Sequence, residues 1–201
     1  MEARREDWMV EYYEDPPFAR SLFQTTRFAW LWALLRVWLG YQWINAALHK
    51  IGVEAWTGNG TALKAFWERA VQVPPPPARP PIAFGWYRAF IQYLLDIQAY
   101  TWFAKLVAYG ELLVGIALIL GAFVGIAAFF GAFMNWNFMM AGTASTNPLL
   151  FTVEVLLILA WKVAGYYGLD RWLLPMLGTP WKPGKVFRNG RRAAGGEPRT
   201  A

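Results

Sequence analysis

The chain has 201 residues, 57% hydrophobic and 18% aromatic, and its 16% charged share lies well below the roughly 25% of soluble domains, which points to one membrane domain with polar ends. It has no cysteine and a single histidine, His49, which excludes disulfides, thiol exchange, iron–sulfur clusters, Cys-based zinc sites, bis-histidine haem and multi-His metal sites within this chain. The net charge of +6 is assigned to membrane topology and not to nucleic acid, because the basic residues cluster at the ends of apolar spans.

Residues 1–27 are polar and mixed in charge, with Asp15-Pro16-Pro17 as a breaker. They are expected on the membrane surface or against a partner. The first span runs from about Phe28 to His49. Its apolar region is longer than the roughly 7–15 residues of a cleaved signal and follows a long acidic lead, so no cleavage is expected. Residues 50–100 form a polar-aromatic external loop. A short amphipathic helix is predicted from Thr61 to Val71. The prolines Pro74 to Pro77, Pro80 and Pro81 then impose an extended, polyproline-like stretch. A second amphipathic helix, Gly85 to Asp96, is rich in Trp and Tyr, which favour the headgroup level. The loop is expected to fold back over the bundle as a cap.

The stretch Ala104–Gly142 is overwhelmingly apolar, with Lys105 and Glu111 its only ionisable groups. It is about twice the roughly 20 residues that cross a bilayer. The break at Gly121–Gly125 divides it into a second span, about 101–121, and a third, about 124–142. Gly142 to Pro148 is a turn, and Pro148 suits the first turn of the next helix. The fourth span covers about 148–167, Asp170 to Pro175 is interfacial, and 176–201 is a basic cytoplasmic tail. The expected fold class is therefore all-α: a polytopic four-transmembrane-helix bundle (28–175) with an extracytoplasmic amphipathic-helix cap. Arg4, Arg5, Arg20 and Arg27 at one end, and Arg171 with the tail cations at the other, place both termini in the cytoplasm by the positive-inside rule. No internal repeat is evident.

Ionisable groups at membrane depth are costly and need partners. Five qualify: Arg36, Lys105, Glu111, Glu154 and Lys162. Near-balance of sign suggests internal ion pairs. At about 1.5 Å per residue, Glu111 and Arg36 fall at a similar level near the middle, so they are expected to pair; Glu154 is expected to pair with Lys105. Each pair is either a structural lock or part of a site. Lys162 is expected to snorkel to the inner interface. Trp38, Gln42, Asn45 and His49 recur at i, i+4, i+7 and i+11, one stripe from mid-membrane to the outer mouth. Asn135 and Asn137 lie about 200° apart round a helix, so at most one points straight inward. An outer polar pocket follows, made of Gln42, Asn45, Lys105, Asn135 or Asn137, and Glu154, with His49 at its rim. A cation there suits a small oxyanion. A Trp-lined cleft suits a quinone ring, and a buried carboxylate can accept its protons. No metal, flavin or nucleotide motif is present.

Leu35-Arg-Val-Trp-Leu-Gly40, Tyr41-Gln-Trp43 and His49-Lys50 resemble the first-helix signature of the DoxX/DoxD membrane proteins. Trp102-Phe-Ala-Lys-Leu-Val-Ala-Tyr-Gly-Glu111, Met134-Asn-Trp-Asn-Phe138, Ser145-Thr-Asn-Pro148 and Ala164-Gly-Tyr-Tyr-Gly-Leu-Asp170 resemble a longer DoxX subgroup. The resemblance covers about residues 28–180. It implies a four-helix bundle in a prokaryotic plasma membrane and the membrane subunit of a thiosulfate:quinone oxidoreductase. Such an enzyme oxidises thiosulfate to tetrathionate, reduces quinone, and has a second redox subunit. On that reading Arg36, His49 and Lys105 bind the anion. Glu111 and Glu154 handle protons. Trp38, Gln42, Asn45, Asn135 and Asn137 line the quinone pocket, and no metal, haem or flavin is held. The alternative from the same family is a non-catalytic anchor or accessory subunit of a larger redox complex. A small-solute transporter ranks third, because four spans under a closed cap leave no evident through path.

Overall fold

The structure, a computed structural model, describes residues 14–178. Arg4, Arg5 and the tail cations from Lys182 onward lie outside the described residues. Among the described residues the fold is all-helical, with no strand. Its α-helices are α1 (Pro17–Gln24), α2 (Ala29–Leu48), α3 (Thr61–Ala70), α4 (Gly85–Asp96), α5 (Tyr100–Leu120), α6 (Val124–Met140), α7 (Asn147–Leu159) and α8 (Asp170–Leu177). A 3-10 turn (Thr26–Phe28) leads into α2, and a π-helical turn (Glu54–Gly58) follows it. The helix α5 is long and apolar enough to cross a membrane, by length and composition; α6 and α7 are apolar but shorter. The helix α2 matches α5 closely in length, at 20 residues, but carries Arg36, Gln42 and Asn45.

The helices α2 and α5 pack antiparallel, α5 and α6 form a hairpin, and α7 lies against α6. The α2–α5 crossing is close because two glycines meet there. A Cβ on Gly40 would stand 2.8 Å from Gly115 O, and one on Gly115 would stand 2.7 Å from Ile44 Cγ1. Small residues allow this backbone approach, in which dispersion contacts accumulate. The bundle core holds Trp32, Leu39, Trp43, Val114, Leu118, Val124 and Leu157. A second core holds Leu63, Trp67, Ile82, Tyr87, Ile91 and Leu94, where α3 and α4 pack together over the start of α5. Tyr87 ties α4 to the end of α6. Its hydroxyl donates to Asn137 Oδ1 at 3.0 Å, and burial pushes its pKa up to about 12, so it remains a donor at ordinary pH. On the outside of α2, α5, α6 and α7, Leu34, Leu106, Leu113, Phe129, Phe130 and Leu159 are all more than half exposed.

The turn between α5 and α6 is held from both sides. Arg36 Nη1 donates to the carbonyls of Leu118 (2.5 Å) and Ile119 (2.7 Å), and Nη2 donates to Tyr167 O (2.8 Å). A guanidinium thus satisfies the carbonyl end of α5, where the helix dipole is negative. At the start of α6, Asp170 accepts from the backbone N–H of Phe123 (2.6 Å) and Val124 (3.0 Å). Phe123 has a left-handed backbone, φ +49°, and this carboxylate holds it there. Burial raises the Asp170 pKa, while the two N–H donors and Arg36 pull it down. Leu169 and Asp170 also donate their N–H groups to Leu120 O and Gly121 O.

The fourth apolar helix is shorter than the expected 148–167. The helix ends at Leu159, and residues 160–167 run through consecutive turns. The chain must double back for Tyr167 O to reach Arg36 and for Asp170 to reach α6. At the other end, Asp15-Pro-Pro17 starts a helix where a breaker was expected, with Pro17 in its first turn, where proline is tolerated.

Glycine substitutions separate packing from propensity. Gly110 has only Met134 Sδ near its Cβ position, at 3.7 Å, so Gly110→Ala is expected to be neutral or to stabilise by about 0.5–1 kcal/mol. Gly115→Ala is expected to destabilise despite the same gain in helix propensity. Removing the Asp170 carboxylate by Asp170→Ala is expected to cost about 1–2 kcal/mol, as loss of a helix N-cap does. Thermal unfolding of the purified chain checks all three.

Candidate functional site

A cavity of about 700 Å³ opens between α2, α3, α5, α6 and the turn leading into α7. That size is ordinary for a small-ligand site. Lys50, Arg69 and Glu111 supply its charge; Gln42, Asn45, Asn135 and Asn147 supply amides; Thr143, Ser145 and Thr146 supply hydroxyls. Trp43, Trp56, Phe66 and Phe138 form aromatic wall. A smaller hollow of about 320 Å³ between α3 and α4 has Lys64, Glu68 and Asp96 on its wall and contains none of the buried charged groups.

The local sequence explains the position of Lys50. The last turn of α2 curls past Leu48, with the N–H groups of Lys50 and Ile51 both on Ala47 O. The side chain then points back along the bundle. Lys50 Nζ donates to Glu111 Oε2 (2.7 Å), Glu111 Oε1 (3.0 Å) and Ala46 O (3.1 Å). It also lies 5.3 Å from the Trp56 ring centroid, within cation–π range. The Glu111 side chain is 2% exposed and that of Lys50 18%, so the pair sits at the wall of the cavity with the carboxylate behind the ammonium. Arg69, in the last turn of α3, is exposed and makes no ion pair among the described residues.

Glu154 lies deeper and is fully buried. It accepts from Trp43 Nε1 (2.9 Å) and, on both oxygens, from Asn135 Nδ2 (2.9 Å each). Room for this cluster comes from Gly131, where a Cβ would stand 2.6 Å from Glu154 Oε1. Asn135 is the link to the cavity: it is 1% exposed, lines the wall, and has a buried Oδ1 with no protein partner among the described residues. With its nitrogen committed to Glu154, it presents an acceptor only.

The structure brings together Gln42, Asn45 and Asn135 from the expected pocket, adds Glu111, which was expected nearer mid-membrane, and places Glu154 directly behind them. It corrects both expected ion pairs. Arg36 binds main-chain carbonyls at the far end of α5, seven residues from Glu111, or roughly 10 Å along the helix; the antiparallel register sets these levels apart. Glu154 pairs with neutral donors and not with Lys105, which is exposed. Trp38 and His49 are exposed, and His49 Nδ1 donates to Asn45 O at 2.7 Å; neither lines the cavity. Asn137 turns away, its Oδ1 on Tyr87 and its Nδ2 on Phe133 O. Lys162 is exposed. Three functional candidates were not anticipated from sequence. Lys50 stands just past the expected span, Arg69 belongs to a helix whose charges suit a solvated face, and Trp43 lies off the polar stripe. The visible signal for Lys50 was its place at a helix end one turn beyond Ala46, where a lysine can fold back onto carbonyls.

No protein-family model, curated protein or solved structure matches this chain.

Removing Lys50 strands a buried carboxylate. Lys50→Met is therefore expected to destabilise by about 3–5 kcal/mol, and adding Glu111→Leu to recover most of that loss. Unfolding of the two single variants and the double variant checks the coupling.

Proposed function

We propose that the chain is a four-span membrane bundle of the DoxX/DoxD type. On this reading it is the membrane subunit of a quinone-linked oxidoreductase acting on thiosulfate or a similar sulfur oxyanion. Support for four spans comes from the large apolar side chains exposed on all four long helices while Arg36, Glu111, Asn135 and Glu154 are buried between them, the arrangement that a lipid solvent favours. The crossing helices are α2, α5, α6 and α7. The cap and the cavity then face the outside of a prokaryotic plasma membrane, with both termini in the cytoplasm.

The observation that carries the functional reading is the cavity itself, where two cations and an aromatic wall meet a buried carboxylate. Lys50 and Arg69 hold the oxyanion through charge-assisted hydrogen bonds, in place of His49, Lys105 and Arg36. Trp43, Trp56, Phe66 and Phe138 supply the flat apolar contact a quinone ring needs. Two thiosulfate ions and one quinone, with two protons, give one tetrathionate and one quinol. Glu111 at the wall and Glu154 behind Asn135 are the groups placed to pass those protons. A second redox subunit completes the enzyme.

The accessory reading has one observation of its own. Trp86, Phe90 and Tyr93 form an exposed stripe along α4, continued by Ile97 just past its end, a surface suited to lipid headgroups or to a larger partner.

The test is thiosulfate-dependent reduction of a short-chain quinone by the full chain in lipid discs, alone and with its co-purifying subunits. Activity is expected, with Lys50→Gln and Arg69→Gln each lowering it about tenfold or more and Lys105→Gln leaving it unchanged. No reduction with any co-purifying subunit present would sink the catalytic reading and leave the accessory one.

A further inference from the structure

We propose that the cavity takes up one proton with each divalent oxyanion it binds, Lys50 being the cation that changes partner and Glu111 the group that receives the proton. The inference rests on the oxyanion-binding reading above and adds its coupling to pH.

The three N–H donors of an ammonium are already engaged at Lys50: two acceptors belong to Glu111 and one is Ala46 O. An incoming oxyanion gains Lys50 only by displacing an acceptor, and Glu111 is the charged competitor. Among the described residues Lys50 is the one cation paired with Glu111. From α2 the remaining titratable neighbour is His49, exposed and turned to Asn45 O. From the π-helical turn it is Glu54, exposed and of the wrong sign. From α3 it is Arg69, at the cavity wall. The helix α6 offers neutral Asn135, and α7 offers Glu154, itself occupied by Trp43 and Asn135. On α5, Lys105 is exposed and more than a turn away. A carboxylate as buried as Glu111, stripped of its counter-cation, neutralises by taking a proton.

Charge balance points the same way. With Glu111 protonated, Lys50 and Arg69 offset a dianion such as thiosulfate. With Glu111 ionised, the occupied cavity would hold excess negative charge in a poorly solvated wall. The balanced step is transfer of the Lys50 hydrogen bonds from Glu111 to the anion, with one solvent proton added to the Glu111 carboxylate; no electron moves.

Thiosulfate binding to the full chain in neutral phosphatidylcholine discs tests this by calorimetry in two buffers of different ionisation enthalpy. The buffer dependence is expected to give an uptake of up to about one proton per anion, and the affinity to fall as pH rises, by up to about tenfold per pH unit. Glu111→Gln is expected to bind thiosulfate with no proton uptake and a flat pH profile. Should that variant misfold, the two-buffer comparison on the unaltered chain decides alone. Binding without proton uptake overturns the inference and leaves the oxyanion site standing, with Arg69 as its main cation. No binding at all overturns both. Repeating the titration in discs containing phosphatidylglycerol distinguishes the source of the anion: unchanged affinity supports a dissolved oxyanion, and loss of thiosulfate binding assigns the cavity to a lipid headgroup and overturns the proposal.

Discussion

The register of the α2–α5 crossing governs the rest of the molecule. Gly40 against Gly115 sets both the closeness and the phase of two antiparallel helices. From that point, one turn toward the α2 N-terminus puts Arg36 at the carbonyl end of α5. The opposite direction brings Lys50 back onto Glu111. One contact between small residues thereby assigns two cations to two different tasks. A slip along this crossing would leave the α5 carbonyls and the Glu111 carboxylate unmatched together, and unmatched buried polar groups cost more than lost packing.

The two ends of the bundle use charge differently. At the α5–α6 turn, Arg36 and Asp170 are consumed by backbone groups, the cation at a helix C-terminus and the anion at a helix N-terminus. There the two Arg36 Nη atoms and both Asp170 oxygens are engaged, and Arg36 Nε is buried without a partner among the described residues. At the cap end the pairing is incomplete. Lys50 and Glu111 satisfy each other, Arg69 is uncommitted among the described residues, and Asn135 keeps a spare acceptor. Incomplete pairing beside a cavity is the arrangement a ligand can exploit, because binding then removes a deficit already present in the protein.

Glu154 illustrates how a carboxylate is accommodated without a cation. Trp43 and Asn135 give it three hydrogen bonds, and Gly131 makes the space. Because Asn135 also forms cavity wall, the deep carboxylate and the ligand space share one side chain. Any change in the charge of Glu154 is therefore felt through Asn135 at the cavity.

The sequence by itself determined the helices α2 to α6 to within a few residues, since apolar runs, prolines and glycine breaks act locally. The span of α4 and the start of α6 follow directly from such signals. It also singled out Gln42, Asn45, Glu111 and Asn135 as inward polar groups, because a polar residue in an apolar run has few places to go. Only the tertiary structure decided the partners. Depth along a single helix suggested Arg36 with Glu111, yet pairing depends on the relative shift of two helices, which no single-helix pattern contains. Lys50 and Arg69 stayed hidden for the same reason: both look solvent-directed until the cap and the end of α2 fold over the bundle. The early end of α7 was likewise set from a distance, by Tyr167 O and Asp170 being drawn back to the α5–α6 turn.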